Sequence, residues 1–242
     1  MPCSNIMIRL GGFVPEGFNL NEAQDDLAAR AAQGAFRLIF AAPPCGTFSV
    51  ARFFVPRDGR PGPPPLRDRD HPDGLPNLSG AEQVQLDRAN AIVDAMLKLL
   101  RAGHSSGADF IIENPADRGV RYSVMFLNER HCPLWLLPRV QAFALETKAG
   151  SANFPLCAFG APWQKFTTLL FSPGLMSELS CLSLLRCSHT RHTQYVGGYR
   201  STDGFSSSAA AAYPTDFNSF VAHAIDAQCQ VWGCGTRRFR HS

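Results

Sequence analysis

The sequence feature that most constrains the fold is a short apolar run, residues 36–42, which ends in two prolines and a cysteine. A continuous apolar run of this length is typical of a fully buried strand, and proline cannot continue the strand. Ligands bind at the carboxyl ends of strands in open α/β sheets, so Cys45 stands where a catalytic nucleophile would stand. For an isolated Pro-Cys turn, an inert buried cysteine is the better interpretation. The rest of the chain therefore decides its role.

A second apolar run, residues 109–115, reads Asp-Phe-Ile-Ile-Glu-Asn-Pro and ends in a carboxylate. Ser79 and Glu82 have the spacing of a capping box, which predicts a helix from there to Gly103, between the two strands. Residues 21–34 predict another helix before the first strand. This alternation of helix and strand predicts an α/β fold with a parallel sheet.

The two strand ends together resemble a known family. Pro43-Pro44-Cys45 and Glu113-Asn114-Pro115 resemble the Pro-Cys and Glu-Asn-Val motifs of the cytosine-5 DNA methyltransferases, and they occur in the same order. Residues 159–165 look like the Tyr-Gly-Val-Pro-Gln-x-Arg segment of that family, with one residue inserted before Gln164 and Lys165 in place of the arginine. Compact versions of these motifs also look like domains of mobile-element polyproteins.

The resemblance implies a DNA cytosine-5 methyltransferase that uses S-adenosylmethionine and flips a cytosine out of DNA. Cys45 would add to C6 of the base, and Glu113 would bond to N3 and the exocyclic amine. The substrate-binding positions carried over from the family are Pro44, Ser49, Arg52, Asn114, Gln164 and Lys165. Arg52, Arg57 and Arg60 are possible phosphate contacts, and Arg52 is also a possible cation to lower the pKa of Cys45.

The implied fold is a Rossmann-like S-adenosylmethionine-dependent methyltransferase sheet with flanking helices, incomplete at the N-terminus. The Phe-x-Gly-x-Gly cofactor loop of the family and its acidic ribose-binding residue are not present before Phe36, and we interpret Gly11-Gly12 as a turn. The sequence therefore names no cofactor-binding residue. It predicts a domain over residues 1–172, which includes a Pro/Arg-rich surface loop at 56–78, and a C-terminal extension over 173–242.

The extension contains a group of cysteines and histidines: Cys181, Cys187, His189 and His192. Two cysteines and two histidines are a zinc-binding set, but this spacing matches no standard zinc finger. We interpret them as loop and core residues in preference to a zinc site. Further predictions are a short helix at 122–127, strands at 140–147 and 167–171, and a terminal amphipathic helix at 216–228.

Composition limits the class of protein. Hydrophobic content of 45% and charged content of 18% are typical of a globular protein, and a net charge of +3 permits a nucleic-acid partner without proving one. The first residues have no signal-peptide pattern and no apolar run is long enough to cross a membrane, so we expect reduced cysteines and an intracellular protein, nuclear or cytoplasmic and not secreted.

Two other functions stay open from the sequence. The fold would also serve as a non-catalytic nucleic-acid-binding module or a mobile-element remnant, without methyl transfer. A cysteine hydrolase would pair Cys45 with a histidine such as His71, His104 or His131, although no spacing favours one of them.

Overall fold

The computed structural model describes residues 5–8, 20–54, 62–194, 199–200, 204–205 and 212–231. The predicted turn at Gly11-Gly12 and the possible phosphate contacts Arg57 and Arg60 lie outside these residues. Within them the chain folds as a mixed α/β protein, as the alternation of helix and strand predicts.

The centre of the fold is a five-stranded mixed sheet with the strand order β1-β2-β3-β5-β4. Strands β1 (Asn5–Ile8), β2 (Leu38–Ala41) and β3 (Asp109–Pro115) run parallel. Strand β5 (Phe166–Phe171) lies antiparallel between β3 and β4 (Gly150–Pro155). A separate short hairpin pairs β6 (Tyr199–Arg200) with β7 (Gly204–Phe205).

Three helices cover one face of the sheet: α1 (Leu20–Ala32), α2 (Gly80–Ser105) and α3 (Pro138–Glu146). The capping box predicted at Ser79 and Glu82 begins α2, with both reciprocal hydrogen bonds present. The core of this layer is aliphatic and aromatic, and it includes Ile39, Met96, Leu100, Phe110 and Phe143. Helices α1 and α2 each connect two parallel neighbouring strands, as crossover helices do.

The opposite face is covered by residues that follow β5. Helices α4 (Met176–Leu179) and α5 (Thr215–Val231) pack there, and Phe217 and Val221 of α5 share a core with Phe154 and Phe171 of the sheet. The predicted terminal helix is thus confirmed. The residues after 172 complete the sandwich of the domain, because without them this apolar face of the sheet would be uncovered.

Two predictions of local structure are wrong, and one strand was not predicted. Residues 140–147 are mostly helix α3 and not a strand, because Pro138 occupies its first turn and Val140 and Phe143 bury one helical face. Residues 122–127 form turns instead of a helix. Strand β4 was not predicted, and its alternating exposed and buried residues pair with β5, whose own prediction at 167–171 is confirmed.

Candidate active site

The carboxyl ends of β2 and β3 bring the two predicted catalytic residues to one edge of the sheet. Ala41 pairs with Ile112, so the chain leaves β2 beside Glu113. Asn114 fixes this arrangement, because its Nδ2 donates a hydrogen bond of 2.9 Å to the carbonyl of Pro43. Cys45 then begins a 3-10 helix, Cys45–Thr47, and is half-buried with a free thiol.

Glu113 is buried, and both of its carboxyl oxygens accept hydrogen bonds from hydroxyl groups. Thr167 on β5 donates a short bond to Oε1, and Tyr213 donates to Oε2 at 2.6 Å. Neither partner was identified from the sequence. Thr167 lies in a predicted strand, but only the antiparallel placement of β5 next to β3 brings it to Glu113. Tyr213 comes from the C-terminal extension, where no sequence signal pointed to it.

The charges around Cys45 act in opposite directions. Burial raises the pKa of the Cys45 thiol, the Lys165 ammonium lowers it, and the Glu113 carboxylate raises it again, with a net increase. Lys165 lies beside the site with its Nζ 6.0 Å from the centre of the Tyr213 ring. Lys165, and not Arg52, is therefore the cation that acts on the pKa of Cys45.

Arg52 and Ser49, two predicted substrate contacts, hold the loop after Cys45 in place. Arg52 is buried and donates a short hydrogen bond from Nε to the carbonyl of Gly46 and one of 2.7 Å from Nη1 to the carbonyl of Pro64. Ser49 caps the next turn by accepting a 3.2 Å bond from the Ala51 amide. A contact between Arg52 and a phosphate would require the bonds to Gly46 and Pro64 to break.

Arg67 is a site residue that the sequence did not reveal. It is 1% exposed, its guanidinium lies 4.1 Å from the centre of the Phe48 ring, and Nη2 donates to Thr47 Oγ1 at 3.1 Å. Burial lowers its pKa to about 10. The prediction that residues 56–78 form a surface loop is thus wrong around Leu66 and Arg67, which are both buried. Arg67 packs against the 3-10 helix that begins at Cys45.

The geometry does not pair Cys45 with a histidine. His131 is fully buried, with Nδ1 accepting from the Arg118 amide at 3.0 Å and Nε2 donating to the Phe48 carbonyl at 2.8 Å. His71 bonds to Asp68 at 3.0 Å, and His104 packs edge-on against Phe110, at the start of β3 and away from its carboxyl end. In the described part of the chain, no hydrogen bond links any of the three to Cys45, so the geometry gives the hydrolase interpretation no support.

Gln164 lies in a second feature, a cleft of about 550 Å³ between the β4–β5 turn and the C-terminal extension. The cleft is bordered by Asn153, Phe166, Cys187 and His189. Of the predicted Cys/His group, the structure brings together Cys187, His189 and His192, and adds Cys157. Cys181 lies apart, with its thiol donating to the carbonyl of Glu178 at 3.3 Å.

The thiols of this cluster differ in acidity. Burial acts to raise the pKa of Cys187, but interactions with His189, Cys157 and Gln164 outweigh it and lower the pKa to about 7. Burial, together with the neighbouring Cys187, raises the pKa of Cys157 to about 11. The sequence missed Cys157 because it lies far from the other three along the chain, in the turn between β4 and β5.

No protein-family model matches the chain, and no curated protein matches it with significant similarity. The resemblance to the cytosine-5 methyltransferases therefore depends on the three motifs alone. In addition, no helix among the described residues combines the length and the apolar character needed to cross a membrane.

The described residues do not fit the S-adenosylmethionine site that the resemblance implies. In the family an acidic residue follows the strand after the cofactor loop, whereas here the strand after β1 is β2, which is followed by Pro43-Pro44-Cys45. Among the described strands, none lies on the outer side of β1. We therefore derive no step through this cofactor.

Proposed function

We propose that this chain binds a cytosine base of a nucleic acid, most simply DNA, between Cys45 and Glu113, as a protein of the cytosine-5 methyltransferase type with a Rossmann-like sheet. The observation that carries the proposal is that Cys45 follows β2 and Glu113 lies near the carboxyl end of β3, while Lys165 directly precedes the antiparallel β5 at the same edge of the sheet. Open α/β sheets bind their ligands at this edge. A base inside a duplex cannot reach such a pocket, so the target must be single-stranded or flipped, at a cost of a few kcal/mol.

The chemistry begins with addition of the Cys45 thiolate to C6 of the base. The thiolate forms as the Cys45 thiol gives its proton to the Glu113 carboxylate, directly or through water. A bond then forms between sulfur and C6, the C5–C6 double bond moves to C4–C5, and N3 receives the displaced electron pair of the C4–N3 double bond together with that proton from Glu113. C5 becomes enamine-like and accepts an electrophile. The Lys165 ammonium stabilises negative charge at the thiolate before it reacts.

The hydroxyl partners of Glu113 suit the carboxyl group for this role. Thr167 fixes Oε1 from one side, which orients the plane of the carboxyl group. Oε2 bonds to Tyr213 in the structure and is the oxygen from which a base would have to displace the tyrosine hydroxyl. Preorganised groups of this kind lower the cost of charge development in the reaction.

This first step is testable without a methyl donor. After addition, C5 takes up a deuteron from heavy water, loses its original proton, and releases the thiolate, so the net result is exchange of the C5 hydrogen. We expect cytosine oligonucleotides incubated with the protein to gain deuterium at C5, as read by mass spectrometry. Cys45→Ser should abolish exchange, whereas Cys181→Ser, the matched control, should retain it.

Exchange that persists in Cys45→Ser, or is absent from the wild type on both single-stranded and duplex DNA and on RNA, would overturn the proposed chemistry. Calorimetry with S-adenosylmethionine tests the methyl donor separately. Micromolar binding, about −8 kcal/mol, would indicate a complete cofactor site that includes residues outside the described part of the chain. C5 exchange without such binding would leave a protein that performs the first step only.

A second candidate function is a non-catalytic nucleic-acid-binding module, which includes a mobile-element remnant of the same fold. The observation that favours it is the Tyr213 hydroxyl on Glu113, which occupies the oxygen that the base would use. Under the catalytic proposal, Tyr213→Phe increases C5 exchange, because Oε2 is then released. Under this second function, exchange is absent in both proteins and Cys45→Ser binds nucleic acid as tightly as the wild type.

A further inference from the structure

A cluster of two cysteines and two histidines lies at the turn between β4 and β5. Cys157 belongs to a 3-10 helix in that turn, Leu156–Phe159, and Cys187, His189 and His192 belong to the extension. One ligand atom from each lies within 4.8 Å of all the others. None of these residues has a role in the chemistry proposed above.

Two sulfur–nitrogen distances within the cluster match a tetrahedral metal site. Zinc binds cysteine sulfur at about 2.3 Å and histidine nitrogen at about 2.0–2.1 Å, which in a tetrahedron separates sulfur from nitrogen by about 3.6 Å. Cys187 Sγ lies 3.8 Å from His189 Nδ1 and 3.4 Å from His192 Nε2. The two measured separations bracket the tetrahedral value.

The segment that carries Cys187, His189 and His192 has few contacts that hold it on the rest of the domain. Residues 185–194 contain no helix or strand and are mostly exposed. They contact the β4–β5 turn through Gln194, whose amide donates to the Pro162 carbonyl at 3.0 Å, and through Thr193, whose hydroxyl donates to the same carbonyl at 3.3 Å. A polar segment with so little core of its own gains stability from a bound metal ion, as small zinc modules do.

We propose that Cys157, Cys187, His189 and His192 bind one Zn²⁺ ion that fastens the C-terminal extension to the β4–β5 turn. Two thiolates and two imidazoles in tetrahedral geometry select zinc among the common divalent ions. Four protein ligands fill the coordination sphere, so the site is structural and leaves no position for substrate. The proposal does not depend on the base chemistry at Cys45.

Gln164 has a positioning role at this site. Its side chain interacts with the Cys187 thiol and also lines the neighbouring cleft. A group that hydrogen-bonds a metal ligand typically changes metal affinity by 10- to 100-fold when it is removed. The zinc ion would thereby hold Gln164, and with it the turn that carries Lys165, at the edge of the sheet.

The first experiment measures metal content of the full chain purified under reducing conditions with zinc present. We expect about one zinc per chain in the wild type and in Cys181→Ser, the control that removes a cysteine outside the cluster. Cys157→Ser and Cys187→Ser should each retain less than about a tenth of that amount. Gln164→Ala should keep the zinc with about tenfold weaker affinity, as measured by competition with a chelator.

A second measurement on the wild type covers the case in which the variants do not fold. Cobalt should bind in one equivalent with the strong visible absorption of tetrahedral thiolate coordination, and zinc should displace it. Bound zinc should protect Cys157 and Cys187 from alkylation, mapped by peptide mass spectrometry, while exposed Cys181 reacts. No metal in the wild type, no tetrahedral cobalt spectrum, or a Cys157–Cys187 disulfide in the reduced preparation would each overturn the proposal.

Discussion

At the scale of single residues, the chemistry of the candidate active site depends on the charges around Cys45, because burial raises the pKa of its thiol. The carboxylate of Glu113 and the ammonium of Lys165 act on it with opposite signs. Because the pKa of Cys45 is raised, the thiol ionises at a higher pH than an ordinary cysteine does. Its reactive thiolate form therefore becomes abundant only as the pH rises above the usual cysteine pKa. Substitutions that remove one or the other of these charges are therefore expected to shift the pKa of Cys45 in opposite directions.

We predict that Lys165→Gln slows the alkylation of Cys45 by iodoacetamide at pH 8 by roughly threefold, and that Glu113→Gln accelerates it by roughly threefold. Removing the cation raises the pKa of the thiol further, whereas removing the carboxylate lowers it. Rates are measured against pH by mass spectrometry of the Cys45 peptide, with the Cys181 peptide of the same protein as the reference. An equal change in the alkylation rate of Cys181, or no change in that of Cys45, would contradict the assigned effects of Lys165 and Glu113 on the Cys45 thiol.

Arg67 is the second residue on which the site depends, because it packs beneath the Cys45 turn. We predict that Arg67→Ala lowers the free energy of unfolding by about 2–3 kcal/mol, since it removes the stacking on Phe48 and leaves Thr47 Oγ1 and the Pro72 carbonyl without the hydrogen bonds that Arg67 donates. Urea denaturation measures the change. Arg88→Ala, at an exposed position of α2, is the control and should stay within about 0.5 kcal/mol of the wild type.

At the scale of elements, side-chain hydrogen bonds join the loop after Cys45 to the loop after β3. Arg69 Nη1 donates to Asp117 at 2.9 and 3.1 Å, and the Gly119 amide donates to Asp117 at 2.8 Å. Burial acts to raise the pKa of Asp117, but its interactions with His131, Arg69 and Gly119 outweigh burial and lower the pKa to about 2. The ionised carboxylate is therefore more stable in the folded chain than in the unfolded one.

We predict that Asp117→Asn destabilises the protein by about 1–2 kcal/mol at pH 7. The folded pKa lies below the unfolded value of about 3.9, so this stabilisation is present above about pH 4 and is lost as the pH falls towards 2. The difference in unfolding free energy between wild type and variant should shrink over that window. A difference that stays constant from pH 7 to pH 3 would exclude the carboxylate as its source.

The elements also show what a sequence can predict. Strands β2 and β3 were predicted because both are continuous apolar runs ended by proline, and α2 because its capping box is local. Helix α3 was mistaken for a strand because its short apolar pattern fits both the helical and the strand periodicity. Tertiary packing decides between helix and strand in such a segment. Cys45 and Glu113 were recognisable from motifs, whereas Thr167, Tyr213 and Cys157 reach their sites through strand pairing and packing that no local pattern encodes.

At the scale of the whole molecule, the residues after β5 are part of the domain core. Phe217 of α5 is 1% exposed and its ring lies 5.6 Å from Phe154 and 5.4 Å from Phe159, centre to centre. The sequence-based boundary at residue 172 separates a domain from an extension, but physically the extension supplies one of the two helical layers.

We predict that Phe217→Ala destabilises the entire protein by about 3–5 kcal/mol and that unfolding remains a single transition by circular dichroism and by tryptophan fluorescence. Val84→Ala is the control, because Val84 is 68% exposed on α2 and its truncation should cost less than about 0.5 kcal/mol. Loss of α5 alone, with the remainder of the sheet unfolding separately, would mean that the second layer is an independent unit.

The hydrogen bond from Tyr213 to Glu113 links ligand binding at Glu113 Oε2 to the position of the C-terminal extension. Because a ligand that needs Oε2 competes with part of the chain itself, its apparent dissociation constant equals the intrinsic value divided by the fraction of molecules in which the tyrosine has moved away. Anything that fixes the C-terminal extension more firmly on the sheet thus weakens binding at the strand ends. Ligand occupancy must in turn loosen the extension by the same free energy.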